Sequence, residues 1–315
     1  MYRNFQILFA IILIITTSCS TSKSQTVEIT GNQFPYPDKM ITLDENLKIA
    51  YVDKGKGDQT LLFIHGLGSY AAAWKKNIEV LRDNYRCIAM DLPGYGQSQH
   101  GDYPYNIDWY AAKMDELILK LGLKNVTVVG HSMGGQIAMK MALKHKNNFN
   151  NLVLISPAGF EKFNTEERAF FEKNVTSEAV KNTSHQRTNF NFSINFVKFP
   201  EDAKFMVQDR IALESKPHFD NYCQMIPKCV MAMLDQPVWQ DLSLIDKSTL
   251  IFFGEKEALI QNKFLHPTMK VDEVANFGHA HIKNSKLVMV PECGHFAQWE
   301  GAEIVNNEII KFLNK

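Results

Sequence analysis

Gly130-His131-Ser132-Met133-Gly134 joins a short apolar run, Val126 to Val129, to an alanine- and methionine-rich stretch. A strand, a sharp turn and a helix in that order would hold the Ser132 hydroxyl at the tip, with small neighbours where larger side chains would obstruct a strained backbone. The chemistry would be nucleophilic attack. Taken alone, the pentapeptide is equally a plain glycine-serine turn between strand and helix. Its surroundings favour the first reading: Gly134, Ala138 and Ala142 recur every four positions and give the helix a face small enough to lie against a sheet.

A serine hydroxyl needs an imidazole to take its proton and a carboxylate to orient that imidazole. Of the ten histidines, His295 in Glu292-Cys293-Gly294-His295-Phe296 stands just past an apolar run and before the last helical pattern. Strand ends are where sites in such sheets gather. His145, His185 and His218 lie in polar surroundings and read as solvated, while His279 and His281 compete without a glycine-loop setting. Glu257, in a glycine-started loop after Leu250 to Phe253, is the candidate acid; Glu255 is its rival, two residues nearer the strand. His65-Gly66-Leu67-Gly68 after Thr60 to Ile64 reads as an oxyanion turn, with Leu67 and Met133 supplying backbone N–H groups.

The elements that must position these groups follow from hydrophobic rhythm. Met40 to Leu43 and Leu47 to Val52 read as a hairpin. Strands at Thr60 to Ile64, Arg86 to Met90, Asn125 to Val129 and Asn151 to Ile155 alternate with helices near Ala71 to Leu81, Ile107 to Leu121 and Ser132 to Lys144. That alternation implies a mostly parallel sheet covered on both faces. The rhythm stops after Pro157 and resumes at Leu250 to Phe253, Lys286 to Val290 and a helix around Ile304 to Leu313. Residues 28–159 and 246–315 therefore form the core, and 160–245 an inserted cap. The cap is dense in phenylalanine: Glu166 to Lys173 and Glu201 to Glu214 look helical, whereas Phe190, Phe192, Ile194 and Phe196 alternate as a strand would. Its rings either form a small core of their own or line an apolar pocket facing Ser132.

Together these segments resemble the α/β-hydrolase superfamily over about Leu47 to Leu313, in the α/β class with an inserted cap. The chain order Ser132, Glu257, His295 is the order expected there. Asp91-Leu92-Pro93-Gly94-Tyr95-Gly96-Gln97-Ser98 matches a structural loop of the family, and Ser156 to Phe160 looks familial as the lead into a cap. The His-Gly-Leu-Gly and Gly-His-Ser-Met-Gly-Gly forms are similar to monoacylglycerol-lipase-like and esterase members, and to hydrolases of ring-fission products. Glu257 departs from the usual aspartate. The resemblance implies a serine esterase or lipase that cleaves esters with an apolar acyl group and needs no cofactor or metal. Carbon-carbon bond hydrolysis, acyl transfer and non-catalytic ligand binding are the alternatives.

Thirty-four basic residues balance thirty-four acidic ones, and no long basic run points to nucleic acid. Residues 1–18 have a cationic start at Arg3 and an apolar stretch from Ile7 to Ile15, which read as an export signal too short to span a membrane. Thr16-Thr17-Ser18-Cys19 resembles a bacterial lipobox, so Cys19 is the expected lipidation site and 19–27 a tether to the cell envelope. Cys87 and Cys293 read as buried thiols, whereas Cys223 and Cys229 lie close together, read as standing outside the core, and could pair.

Overall fold

Apolar runs of strand length alternate with helix-period segments, and each run becomes one strand of a single sheet. The computed structural model describes residues 34–314. The expected export signal, Cys19 and the tether lie outside the described residues. The chain begins with β1 (Lys39–Thr42), β2 (Lys48–Lys54), β3 (Thr60–Ile64), α1 (Lys75–Leu81), β4 (Arg86–Met90), α2 (Ile107–Lys120), β5 (Val126–His131), α3 (Met133–Lys144) and β6 (Asn151–Ile155). A helical excursion follows: α4 (Thr165–Asn174), α5 (Ser177–Lys181), α6 (His185–Ser193), α7 (Lys204–Ala212) and α8 (Phe219–Asp235). The chain then returns through β7 (Ser248–Gly254), α9 (Val271–His281), β8 (Ser285–Val290), α10 (Ala297–Glu300) and α11 (Ala302–Leu313).

The eight strands lie in the order β1-β2-β4-β3-β5-β6-β7-β8, antiparallel at β1/β2 and β2/β4 and parallel elsewhere. This is an α/β-hydrolase fold. The central strands read as nearly continuous apolar runs because both faces are covered. In β3 and β7, Leu62, Ile64, Ile251 and Phe253 face the core shared with α2, α3 and α9. Their neighbours Leu61, Phe63, Leu250 and Phe252 face the layer that includes residues of α1 and α11. Asn106 caps α2, its side chain accepting from Trp109 N–H at 2.8 Å.

The excursion differs from expectation at one place. Residues 185–193 are helix, not strand, begun by Ser184, whose hydroxyl accepts from Arg187 N–H. Thr188 and Phe196 are buried with Phe192 between them, and their spacing of four is the period that the fold follows. The alternating phenylalanines are therefore divided. Phe192 and Phe196 pack with Phe296 and Trp299, whereas Phe190 is exposed.

Two other expectations are corrected. Cys223 and Cys229 are free, buried in the main core, and six residues apart on α8. A helical rise of about 9 Å over six residues exceeds the roughly 7 Å limit for a disulfide. His218 is not a solvated residue either: its ring stacks on His100 with centroids 3.8 Å apart. Among the described residues no helix is long and apolar enough to cross a membrane.

Candidate active site

The turn from β5 into α3 is as tight as its glycines allow. Ser132 sits at φ 54, ψ −122, a left-handed conformation held by Ser132 N–H donating to Ile155 C=O at 3.1 Å. A Cβ at Gly134 would lie 2.2 Å from Ile64 C=O, and one at Gly130 would lie 2.3 Å from Gly134 C=O. Only glycine permits this approach of α3 to the sheet.

Beyond β7 the chain turns at Gly254, where an added Cβ would meet Cys293 C=O at 2.1 Å. Lys256 N–H donates to the same carbonyl at 2.9 Å, so the loops carrying Glu257 and His295 are bound to each other. Glu257 is buried, while Glu255 is exposed on the same turn. Glu257 Oε2 lies 2.7 Å from His295 Nδ1, and its Oε1 accepts from Ala258 N–H at 2.8 Å and Leu259 N–H at 2.7 Å. Burial pushes the Glu257 carboxyl up, but the facing imidazole and these N–H groups outweigh it and hold the group below the usual carboxylate range.

His295 is fixed from a second direction. His131 is buried and its Nε2 lies 2.9 Å from His295 C=O. Burial, reinforced by His295, keeps His131 neutral, so its Nε2–H donates to that carbonyl.

The turn after β3 is braced in the same manner. His65 Nε2 accepts from Leu92 N–H at 2.9 Å, which leaves Nδ1–H to donate to Gly66 C=O at 2.8 Å. Burial lowers His65 to about 4, so it stays neutral. A Cβ at Gly66 would stand 2.9 Å from Ser132 Cβ. Neither the Leu67 nor the Met133 backbone N–H is taken by a protein acceptor among the described residues.

Ser132, His295 and Leu67 open into one cavity of about 240 Å³, walled by Phe163, Phe171 and Met233 among others. Some of the cap's phenylalanines thus line the pocket and others build the cap's own core. Two charged residues here went unnoticed in the sequence. Glu161 lines the cavity, its Oε2 accepting from Gly159 N–H at 2.9 Å, and burial raises its carboxyl to about 7. Arg210, its side chain only 10% exposed, also lines the cavity, beside Tyr222. Neither sits in a motif, and only the folded cap brings them to Ser132. His279 and His281 end α9 on the exposed surface. Among the described residues no group of three or more His, Cys, Asp or Glu side chains is placed to hold a metal ion.

Known proteins are similar to this chain in sequence and fold. An uncharacterized hydrolase, YugF, of Bacillus subtilis is 26% identical over 269 residues, 82% of this chain and 90% of that protein. A 2-hydroxy-6-oxononadienedioate/2-hydroxy-6-oxononatrienedioate hydrolase of Pseudomonas putida is 26% identical over 282 residues, 86% of this chain and 93% of the relative. The solved esterase EaEST of Exiguobacterium antarcticum superposes with a TM-score of 0.72 at 23% identity, covering 88% of this chain and 99% of its own. The family described as alpha/beta hydrolase fold matches residues 59–302, and with the sheet order and the strained serine turn this establishes that the chain belongs to that family.

Proposed function

We propose that this hydrolase cleaves carboxylic esters with an apolar acyl group through a covalent acyl-enzyme. The observation that carries the reading is that His295, 2.7 Å from the buried Glu257, opens with the strained Ser132 into one largely apolar cavity. Ser132 Oγ attacks the ester carbonyl while His295 Nε2 takes its proton. Glu257 holds the imidazole in the tautomer that leaves Nε2 free and stabilises the imidazolium. Leu67 and Met133 N–H groups receive the oxyanion, each worth about 3 kcal/mol in the transition state. His295 then protonates the departing alcohol, and water enters by the same relay to release the acid. The expected N-terminal export signal and lipidated Cys19 would bring this chemistry to the cell envelope.

A fluorophosphonate probe tests the reading directly: it labels the folded wild type and spares Ser132→Ala, and an unlabelled wild type refutes the assignment. Cavity size sets the acyl length. A cavity of about 150 Å³ holds benzene, so 240 Å³ holds roughly ten non-hydrogen atoms. Turnover of p-nitrophenyl esters is accordingly expected to peak near about eight acyl carbons. A preference for acetate would contradict the acyl-binding role of the cap.

A second reading has one observation in its favour. The Pseudomonas putida relative is named for a dioate substrate, and the sequestered Arg210 guanidinium of this chain could receive a carboxylate. Cleavage of a vinylogous keto acid with no turnover of simple esters would select it.

A further inference from the structure

A second cavity, of about 270 Å³, lies on the far side of the oxyanion turn. It shares Gly68, Ser69, Arg210 and Tyr222 with the catalytic pocket, so the two are neighbours across one thin wall. At Gly68 that wall is thin, with no side chain of its own, and a Cβ there would be in ordinary contact with the Tyr222 hydroxyl at 3.7 Å. Three parts of the molecule close the cavity: the segment before β1 through Tyr36, the core loop through Gln97, and the cap through Asp209 and Arg210.

Its lining is mostly apolar, with a few polar groups set against aromatic faces. Tyr36 and Tyr70 present stacked rings 6.3 Å apart, and both hydroxyls donate to Asp209 Oδ2. Gln97 is pinned by its own N–H to Asp91 at 2.8 Å, yet its Nε2 is buried without a hydrogen-bond partner. Arg210 stands nearby, its Nη1 ion-paired with Glu214 at 3.7 Å, so Gln97 Nε2 is the donor left for a ligand. Buried donors left unmatched are costly unless a ligand takes them. Aromatic faces beside planar donors and acceptors suit a molecule with apolar C–H faces and a rim of hydroxyls. By the scale used for the acyl pocket, 270 Å³ holds about eleven non-hydrogen atoms, the size of one pyranose with its hydroxyls.

We propose that this second cavity is the leaving-group subsite and takes a monosaccharide-sized polyol, so that the ester cleaved is an acylated sugar. The inference rests on the ester-hydrolase reading and names the alcohol half of its substrate. Ser132 Oγ bonds to the acyl carbon, the bond from that carbon to the sugar oxygen breaks, and the oxygen takes the proton held by His295. Water then gives its hydroxyl to the acyl carbon and its remaining proton, through His295, to Ser132. A free acid and a free sugar leave.

The test compares 6-O-octanoyl glucose with ethyl octanoate, which share an acyl group. The wild-type kcat/KM ratio is expected to favour the sugar ester by about tenfold, the worth of one or two well-placed hydrogen bonds. It is expected to fall toward one in Gln97→Leu and, as a second variant remote from Asp91, in Tyr36→Leu, with near-ultraviolet circular dichroism confirming the fold of each. A wild-type ratio near one, or a ratio unmoved in both folded variants, overturns the subsite while leaving the esterase standing. If the wild type cleaves neither ester, the esterase reading falls. Calorimetry of Ser132→Ala with octyl glucoside, below its micelle concentration, then decides the cavity alone: binding abolished by adding Gln97→Leu sustains a sugar site, and no binding overturns it.

Discussion

Glu257 carries one methylene more than an aspartate, and its turn absorbs the extra length locally. Gly254 C=O accepts from Glu257 N–H at 3.0 Å, which curls the residue back so that its carboxylate meets both the following N–H groups and His295. Glu257→Gln would put an amide where His295 Nδ1–H needs an acceptor, and ester turnover is expected to drop by about 10⁴ while Glu255→Gln stays within about twofold of wild type. Steady-state kinetics on the same ester checks both. Glu161 poses a different question, since its carboxyl ionises near 7 inside the pocket. Above that pH its negative charge opposes the oxyanion, so the activity of Glu161→Gln relative to wild type is expected to rise severalfold from pH 6 to pH 9. A flat ratio would place Glu161 too far from the reacting carbonyl to matter. The strand-end residues were legible in the sequence because a glycine turn after an apolar run fixes their place. Glu161 and Arg210 were not, because their approach to Ser132 depends on how the cap returns over the core.

The loop bearing His295 is held by elements as well as by its own hydrogen bonds. Glu300 of α10 accepts from Gly294 N–H at 2.7 Å through one oxygen and from Val197 N–H at 2.8 Å through the other. One side chain thus joins the loop after β8 to the cap segment after α6. Glu300→Ala removes two bonds to a charged acceptor and is expected to cost about 2 kcal/mol of stability, read as a lower urea midpoint. It should also lower kcat more than it changes KM, since His295 loses a fixed loop; an unchanged kcat would mean that the Glu257 and His131 contacts suffice. Strand positions in the core followed the apolar runs closely. The cap did not, for two reasons visible in its residues. Pro227 interrupts the pattern of α8, although the helix runs through it, and the alternation of Phe190, Phe192, Ile194 and Phe196 mimics a strand where a spacing of four decides the fold.

At the scale of the whole molecule, buried titratable groups pull stability in opposite directions with pH. His65 is lowered by burial to about 4, so an unfolded chain protonates it first and its share of stability, present above pH 6.5, is lost as pH falls toward 4. His131 acts in the same sense. Asp91 is raised by burial from 3.8 to about 6, so the folded chain holds that proton longer and stability declines as pH rises through this interval; Glu161 acts likewise. The lowering at His65 and the raising at Asp91 are each worth about 3 kcal/mol at 1.36 kcal/mol per pH unit, and these two nearly cancel between pH 4 and 6.5. On acidification from pH 6.5 to 4, His65→Gln is expected to gain up to about 3 kcal/mol relative to the wild type, read from denaturant midpoints at each pH. A difference between variant and wild type that stays constant with pH would show that His65 takes up its proton in the fold as readily as in the unfolded chain. Tyr36, clasped to Asp209 of the cap, carries one more consequence, for anyone expressing the protein. A recombinant version trimmed to start at the first strand would lack part of the second cavity's wall, and a selective loss of turnover on the sugar ester would record where the gene was cut.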